Sequence, residues 1–121
     1  MRDNVGQPII EIKKLGTQFN GEWIHKDLDL TIYPNRIVTI IGASGCGKTT
    51  LIREILMLQP ISAGEIHLMG EEISKYNLED PYTKRVLSQM AMMFQQGALY
   101  NSNTVLENVM FPILEYTDFS Y

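Results

Sequence analysis

An α/β fold, with a partly parallel sheet fronted by an N-terminal antiparallel β unit, is what this sequence predicts. Three observations carry that prediction. Short apolar or alternating runs recur between helix-like stretches along the 121 residues, and strands that alternate with helices call for parallel neighbours. The run "IVTII" (37–41) is β-branched throughout and reads as a strand buried on both faces. Directly behind it, "GASGCGKTT" (42–50) leads into apolar residues at helical spacing.

Taken in order, "IIEIKKL" (9–15) reads as a strand and "LDLTIY" (28–33) alternates like a half-buried one. The intervening "GTQFNGEWIHKD" is turn-rich, so the two are expected to pair antiparallel across 9–33. "PNR" (34–36) is a turn. In "KTTLIREILMLQP", Leu51, Ile55 and Leu58 share one helix face, and Pro60 is expected to stop the helix. This makes 37–59 a strand-and-helix unit. After the turn "SAG", "EIHLM" (65–69) alternates as a strand, and "GEEISKYNLED" reads as a polar loop. Asp80 and Pro81 suit the N-cap and first position of a helix "PYTKRVLSQ". "MAMMF" (90–94) is a second candidate buried strand, with Met90, Met92 and Met93 as packing residues. "QQGALYNSN" is a loop. Thr104 and Glu107 form a capping box for a helix that Pro112 is expected to kink or end.

Composition narrows the function classes. Ten basic against fourteen acidic residues leave a net charge of −4, which argues against a nucleic-acid binder. No apolar run approaches the ~20 residues of a membrane span, and "MRDNVGQPIIEIKK" lacks the apolar core of a secretory signal. Cys46, the single cysteine, cannot form an internal disulfide and suits a reducing compartment. A soluble cytosolic domain is the expectation.

Gly42-Ala43-Ser44-Gly45-Cys46-Gly47-Lys48-Thr49 fits G-x-x-x-x-G-K-[ST]. Glycines let successive N–H groups turn inward as an anion-binding nest, and the following helix points its positive end at the same place. Lys48 would reach the phosphates and the Thr49 hydroxyl would ligate Mg²⁺. Ser44 and Thr50 are expected nearby, although Thr50 also suits a plain helix start. Cys46 fills a position that any small residue could take. A flexible turn without a ligand is the alternative, but the strand-before, helix-after context favours a phosphate cradle. His25 and His67 are isolated in the sequence and read as surface residues, with no metal-site spacing.

From about Ile9 to Phe111 the chain resembles the N-terminal portion of an ABC-transporter ATPase nucleotide-binding domain, a P-loop NTPase. The resemblance rests on three ordered features: the Walker A loop, Gly42 to Thr49; Phe19, twenty-three residues ahead of Gly42; and "MAMMFQQGAL", a strand ending in Phe-Gln like the family's Q-loop. It implies that Phe19 stacks on adenine, with Trp23 as a rival. It implies that Gln95, ahead of Gln96, helps coordinate Mg²⁺ and the attacking water and senses a membrane permease. Lys48 and Gln95 are then the catalytic candidates, Thr49 and Gln95 the metal ligands, and ATP with Mg²⁺ the cofactors. Within the family, "FQQGALYNSNTVLENVMFP" is similar to ATPases of phospholipid and organic-solvent (Mla-type) systems, Tyr100 replacing a more usual Phe. Amino-acid and other small-solute importers carry related stretches and are the alternative.

The family's signature motif, Walker B strand and switch histidine have no counterpart in the 121 residues. The expectation is therefore one portion, 1–121, of a single nucleotide-binding domain whose Q-loop region spans 90–111. That portion would not hydrolyse ATP alone, and "IVTII" would lie beside strands from the remaining half. The resemblance further implies a permease partner at the Q-loop region, a second ATPase subunit, no nucleic acid, and a peripheral place on the cytoplasmic face of the inner membrane. Two other classes stay open: a P-loop kinase or GTPase, the latter without its guanine-reading Asn-Lys-x-Asp, and a non-catalytic ATP-binding module that docks a permease.

Overall fold

Asn20 and Gly21 both take positive φ, 50° and 83°, and the chain doubles back there in a two-residue turn. Paired left-handed residues match the twist of flanking strands, which makes Asn-Gly a strong hairpin signal. The molecule is seen here as a computed structural model that describes residues 6–94 and 97–118. β1 (Ile10–Phe19) and β2 (Glu22–Ile32) pair antiparallel from Phe19↔Glu22 at the turn to Ile10↔Ile32 at the far end. The expected antiparallel unit is present. The stretch read as a connector is itself strand, apart from the Asn20–Gly21 tip.

β3 (Ala63–Leu68) joins the other side of β1, and the two-residue β4 (Glu71–Glu72) follows on β3. The sheet order is β2-β1-β3-β4, antiparallel at each pairing. One face of it makes the core. Ile12 and Leu15 of β1 and Ile66 and Leu68 of β3 cluster with Ile73, with Leu51 and Ile55 of α1 (Lys48–Ile55), and with Val86 of α2 (Pro81–Leu87). Each such side chain contributes about 1.5–3 kcal/mol on burial.

Local chemistry sets the helix ends. α1 stops at Ile55 rather than running to Pro60. Met57 turns left-handed (φ 57°), its N–H bonding the Glu54 carbonyl while the Leu58 N–H bonds that of Arg53. That is a Schellman stop, and it leaves Leu58 exposed and off the helix. α2 begins as expected: the Asp80 side chain accepts from the Tyr82 N–H at 2.9 Å, and Pro81 takes the first position. α3 (Val105–Tyr116) has the full capping box between Thr104 and Glu107. It continues past Pro112, so that proline does not end it.

Two expected strands are not formed. Residues 37–41 and 90–94 have no ladder partner, and Ile37, Ile41 and Met93 are 99%, 89% and 95% exposed. A strand needs a neighbour for its N–H and C=O groups and a layer over its side chains. Among the described residues nothing supplies either to these segments. The parallel part of the sheet is accordingly absent there. No helix of the described residues is long and apolar enough to cross a membrane.

Candidate phosphate-binding site

The glycine loop packs against the hairpin before it enters α1. Gly47 is the N-cap of α1 at φ 98°, a conformation that L side chains rarely adopt. Space forbids a side chain there as well: a Cβ would lie 2.6 Å from Ile24 Cγ2 and 2.7 Å from His25 Cε1. A Cβ on Gly42 would meet Cys46 Sγ at 2.5 Å. The Cys46 N–H bonds the Ala43 carbonyl at 3.2 Å and closes the turn between these glycines.

Ser44, Gly45, Gly47, Lys48, Thr49 and Thr50, with Ile24 of β2, line a cavity of about 290 Å³. Six of the predicted phosphate-binding residues therefore share one concave surface. Among the described residues no side chain caps the start of α1, and its first turn holds no acidic residue, whereas Asp80 and Thr104 cap α2 and α3. The uncapped N–H groups and the helix dipole leave a donor-rich spot for an anion. Lys48 Nζ donates to the carbonyls of Gly42 (2.6 Å) and Ala43 (2.8 Å) and lies 3.6 Å from Cys46 Sγ. The ammonium is thus held within the loop, where an incoming phosphate would compete for it. Cys46 itself is exposed and free.

These donors fit a nucleotide's phosphates, and the Thr49 hydroxyl on the cavity wall fits Mg²⁺, whose ligands are oxygens. Gln95, the other expected metal ligand and catalytic candidate, and Gln96 lie outside the described residues. Phe19 ends β1 beside the hairpin tip and is 61% exposed, so its ring is open to solvent but does not line the cavity. Trp23 is partly committed elsewhere, since a Cβ on Gly16 would meet its Cζ3 at 2.8 Å.

The two histidines correct the expectation of surface residues. His67 is half-buried, with Nε2 2.9 Å from a Glu65 carboxylate oxygen. Glu72 approaches the same pair, but its carboxylate already faces Lys75 at 2.8 Å, which holds it below the usual range through that hydrogen bond. His25 is buried against Glu54, Nε2 to Oε2 at 3.5 Å. Glu54 is almost fully buried and accepts a hydrogen bond from the Thr17 hydroxyl. Burial raises its pKa, against the smaller opposing effects of Thr17 and His25. Sequence reasoning passed over Glu54, although its spacing from Leu51 and Ile55 puts it on the apolar face of α1.

A family model described as "ABC transporter" matches residues 25–120. The chain belongs to the ABC transporter family. The putrescine transport ATP-binding protein PotG of Escherichia coli is 39% identical over 104 residues, 86% of this chain and 26% of that protein. The spermidine/putrescine import ATP-binding protein PotA of Aggregatibacter actinomycetemcomitans is 37% identical over 105 residues, 87% and 26% of the two chains. This ABC chain thus spans about a quarter of the length of the curated relatives it matches. A solved structure titled as the dimeric structure of MJ0796, a bacterial ABC transporter cassette, superposes with a TM-score of 0.81 at 25% identity, covering 93% of this chain and 50% of that one. The fold is a partial ABC-type P-loop NTPase. The relatives' names speak of polyamines, and the expected likeness to lipid-transport ATPases finds no support in them.

Proposed function

We propose that this chain carries the nucleotide-binding half-site of an ABC-transporter ATPase that serves an importer of small solutes. The observation that carries the proposal is the shared cavity, in which the uncapped start of α1, Lys48 and Thr49 converge. ATP would be held there, its phosphates on the loop N–H groups and Lys48, and Mg²⁺ on Thr49 with Gln95. The magnesium, when bound, neutralises charge on the phosphate oxygens. Phe19 is the favoured adenine stacker because its face is open and Trp23 is partly covered.

The small-solute reading replaces the lipid one because the relatives are named for putrescine and spermidine. A permease would meet the Q-loop region and α3, whose Val105, Leu106 and Val109 are all more than half exposed. A second ATPase subunit and a peripheral place on the cytoplasmic face of the membrane belong to the same proposal. Hydrolysis by the 121 residues alone is not expected, since no carboxylate in the described site stands ready to activate water.

The test is a fluorescent-ATP titration. Lys48→Ala removes charge-assisted hydrogen bonds worth about 1.5–3 kcal/mol, so affinity should fall about 10- to 100-fold. An unchanged Kd sinks the phosphate-cradle reading. Cargo is tested by labelled putrescine uptake in cells with and without Lys48→Ala. Lys48-dependent movement of phospholipid, with putrescine unaffected, would return the lipid assignment.

A further inference from the structure

The hairpin and the glycine loop meet through an unusual pair of residues. A loop that grips phosphates must be held in shape, and the surface under Gly47 is Ile24 and the imidazole of His25. Behind that ring lies Glu54, one of the most deeply buried side chains in the molecule, and behind Glu54 the Thr17 hydroxyl donates to its other carboxylate oxygen. Thr17 stands on β1, His25 on β2 and Glu54 on α1, so one polar cluster ties together the three elements that frame the loop.

The cluster is incompletely satisfied. Among the described residues His25 Nε2 and Glu54 Oε2 have no hydrogen-bond partner, and they face each other at 3.5 Å, too far for a good hydrogen bond. A buried carboxylate beside an imidazole without a full set of donors is unstable as a lone charge. At this separation a charge gained by either group is felt by the other. The groups that face it are the Thr17 hydroxyl from β1 and the Gly47 backbone from the loop. Lys48, the cation next to Gly47 in the chain, donates to the Gly42 and Ala43 carbonyls.

We propose that His25 and Glu54 are positioning residues for the phosphate loop, and that proton uptake by this buried pair strengthens the loop's hold on a nucleoside triphosphate. The inference rests on the nucleotide-binding reading given above. Its physical basis is short. The ring lies against Gly47, the N-cap of α1, so a change in its charge or tilt is delivered to the N–H groups that receive the phosphate. Whichever of the two groups takes the proton, the cluster gains one positive unit beneath an anion site. Linkage then requires the converse, that a bound triphosphate draws a proton into the pair.

The experiment measures MgATP affinity of the 121-residue chain at pH 6 and pH 8 for wild type, Glu54→Gln and His25→Phe. Glu54→Gln keeps an acceptor for Thr17 and removes the titrating carboxyl, while His25→Phe keeps a ring under Gly47. Wild type should bind at least about fivefold tighter at pH 6 than at pH 8, a coupling of ordinary size. Both variants should lose most of that ratio, leaving only the dependence due to ATP's own titration. In parallel, the His25 Cε1–H resonance, separated from His67 with His67→Gln, should change its pH dependence when MgATP is added. If either variant fails to fold by circular dichroism, the other and the resonance still decide. Equal pH ratios in wild type and a folded variant, with a nucleotide-insensitive His25 signal, overturn the device while Lys48-dependent binding leaves the functional reading intact. Absence of Lys48-dependent binding at both pH values overturns both.

Discussion

The hairpin with α1 and the two segments at 37–41 and 90–94 are built from the same kinds of residue, yet they end differently. Leu15 and Ile12 are 0% and 1% exposed, while Ile37 and Ile41 are 99% and 89% exposed. The difference lies in partners rather than in propensity. β1 is hydrogen-bonded on both sides, to β2 and β3, and α1 covers its face. The run 37–41 is β-branched at every position, more so than β1, and has no described neighbour. A strand-forming sequence is a demand for a ladder, and it becomes a strand only where one is supplied. The cassette that superposes on this chain is twice the aligned length, and exposed apolar runs of this kind favour association or aggregation.

The largest test of the contrast is a pair of truncations. Leu15→Ala should cost about 2–5 kcal/mol in urea unfolding, and Ile37→Ala should stay within about 0.5 kcal/mol. A comparable loss at Ile37 would show that 37–41 is packed in solution.

Helix caps sharpen it at a smaller scale. α2 is anchored through Val86 in the core, so Asp80→Ala should lower global stability by about 1 kcal/mol. α3 carries exposed apolar residues and lies outside that cluster. Thr104→Ala should therefore reduce helix content by circular dichroism and leave the main unfolding midpoint in place. A shifted midpoint would tie α3 to the core.

Solubility probes the open side directly. Ile41→Lys should raise the concentration at which the protein associates, measured by light scattering, without moving its melting temperature. A lower melting temperature would mean that Ile41 is buried in solution.

The smallest expected effect is on the pH dependence of the packed side. Glu54's carboxyl is raised by burial, so the folded chain holds that proton more tightly than the unfolded one. Stability from this group is then full below the ordinary carboxylate range and is lost as pH rises through the raised value. Glu54→Gln should flatten that decline in thermal melts across pH 4 to 7, and an unchanged slope would assign it to other groups.

Much of the fold was legible because it is written in local chemistry. Asp80-Pro81, the Thr104/Glu107 box and the antiparallel pairing of 9–15 with 28–33 follow from nearest-neighbour rules, and each is found. The hairpin tip was legible in Asn20-Gly21 but masked by the polar residues around it. The glycine loop was legible as a spaced motif, and Ser44, Gly45, Gly47, Lys48, Thr49 and Thr50 line one cavity. Other features depend on what comes near in space. Burial of His25 and Glu54 arises only when β2 and α1 meet across the loop. The end of α1 at Met57 is a backbone turn that overrides the apolar spacing. Sequence alone determined where strands, helices and the phosphate loop could begin. Tertiary structure decided which strands found ladders and which polar groups were shut away from water, because pairing and desolvation are properties of neighbours and not of a residue's own type.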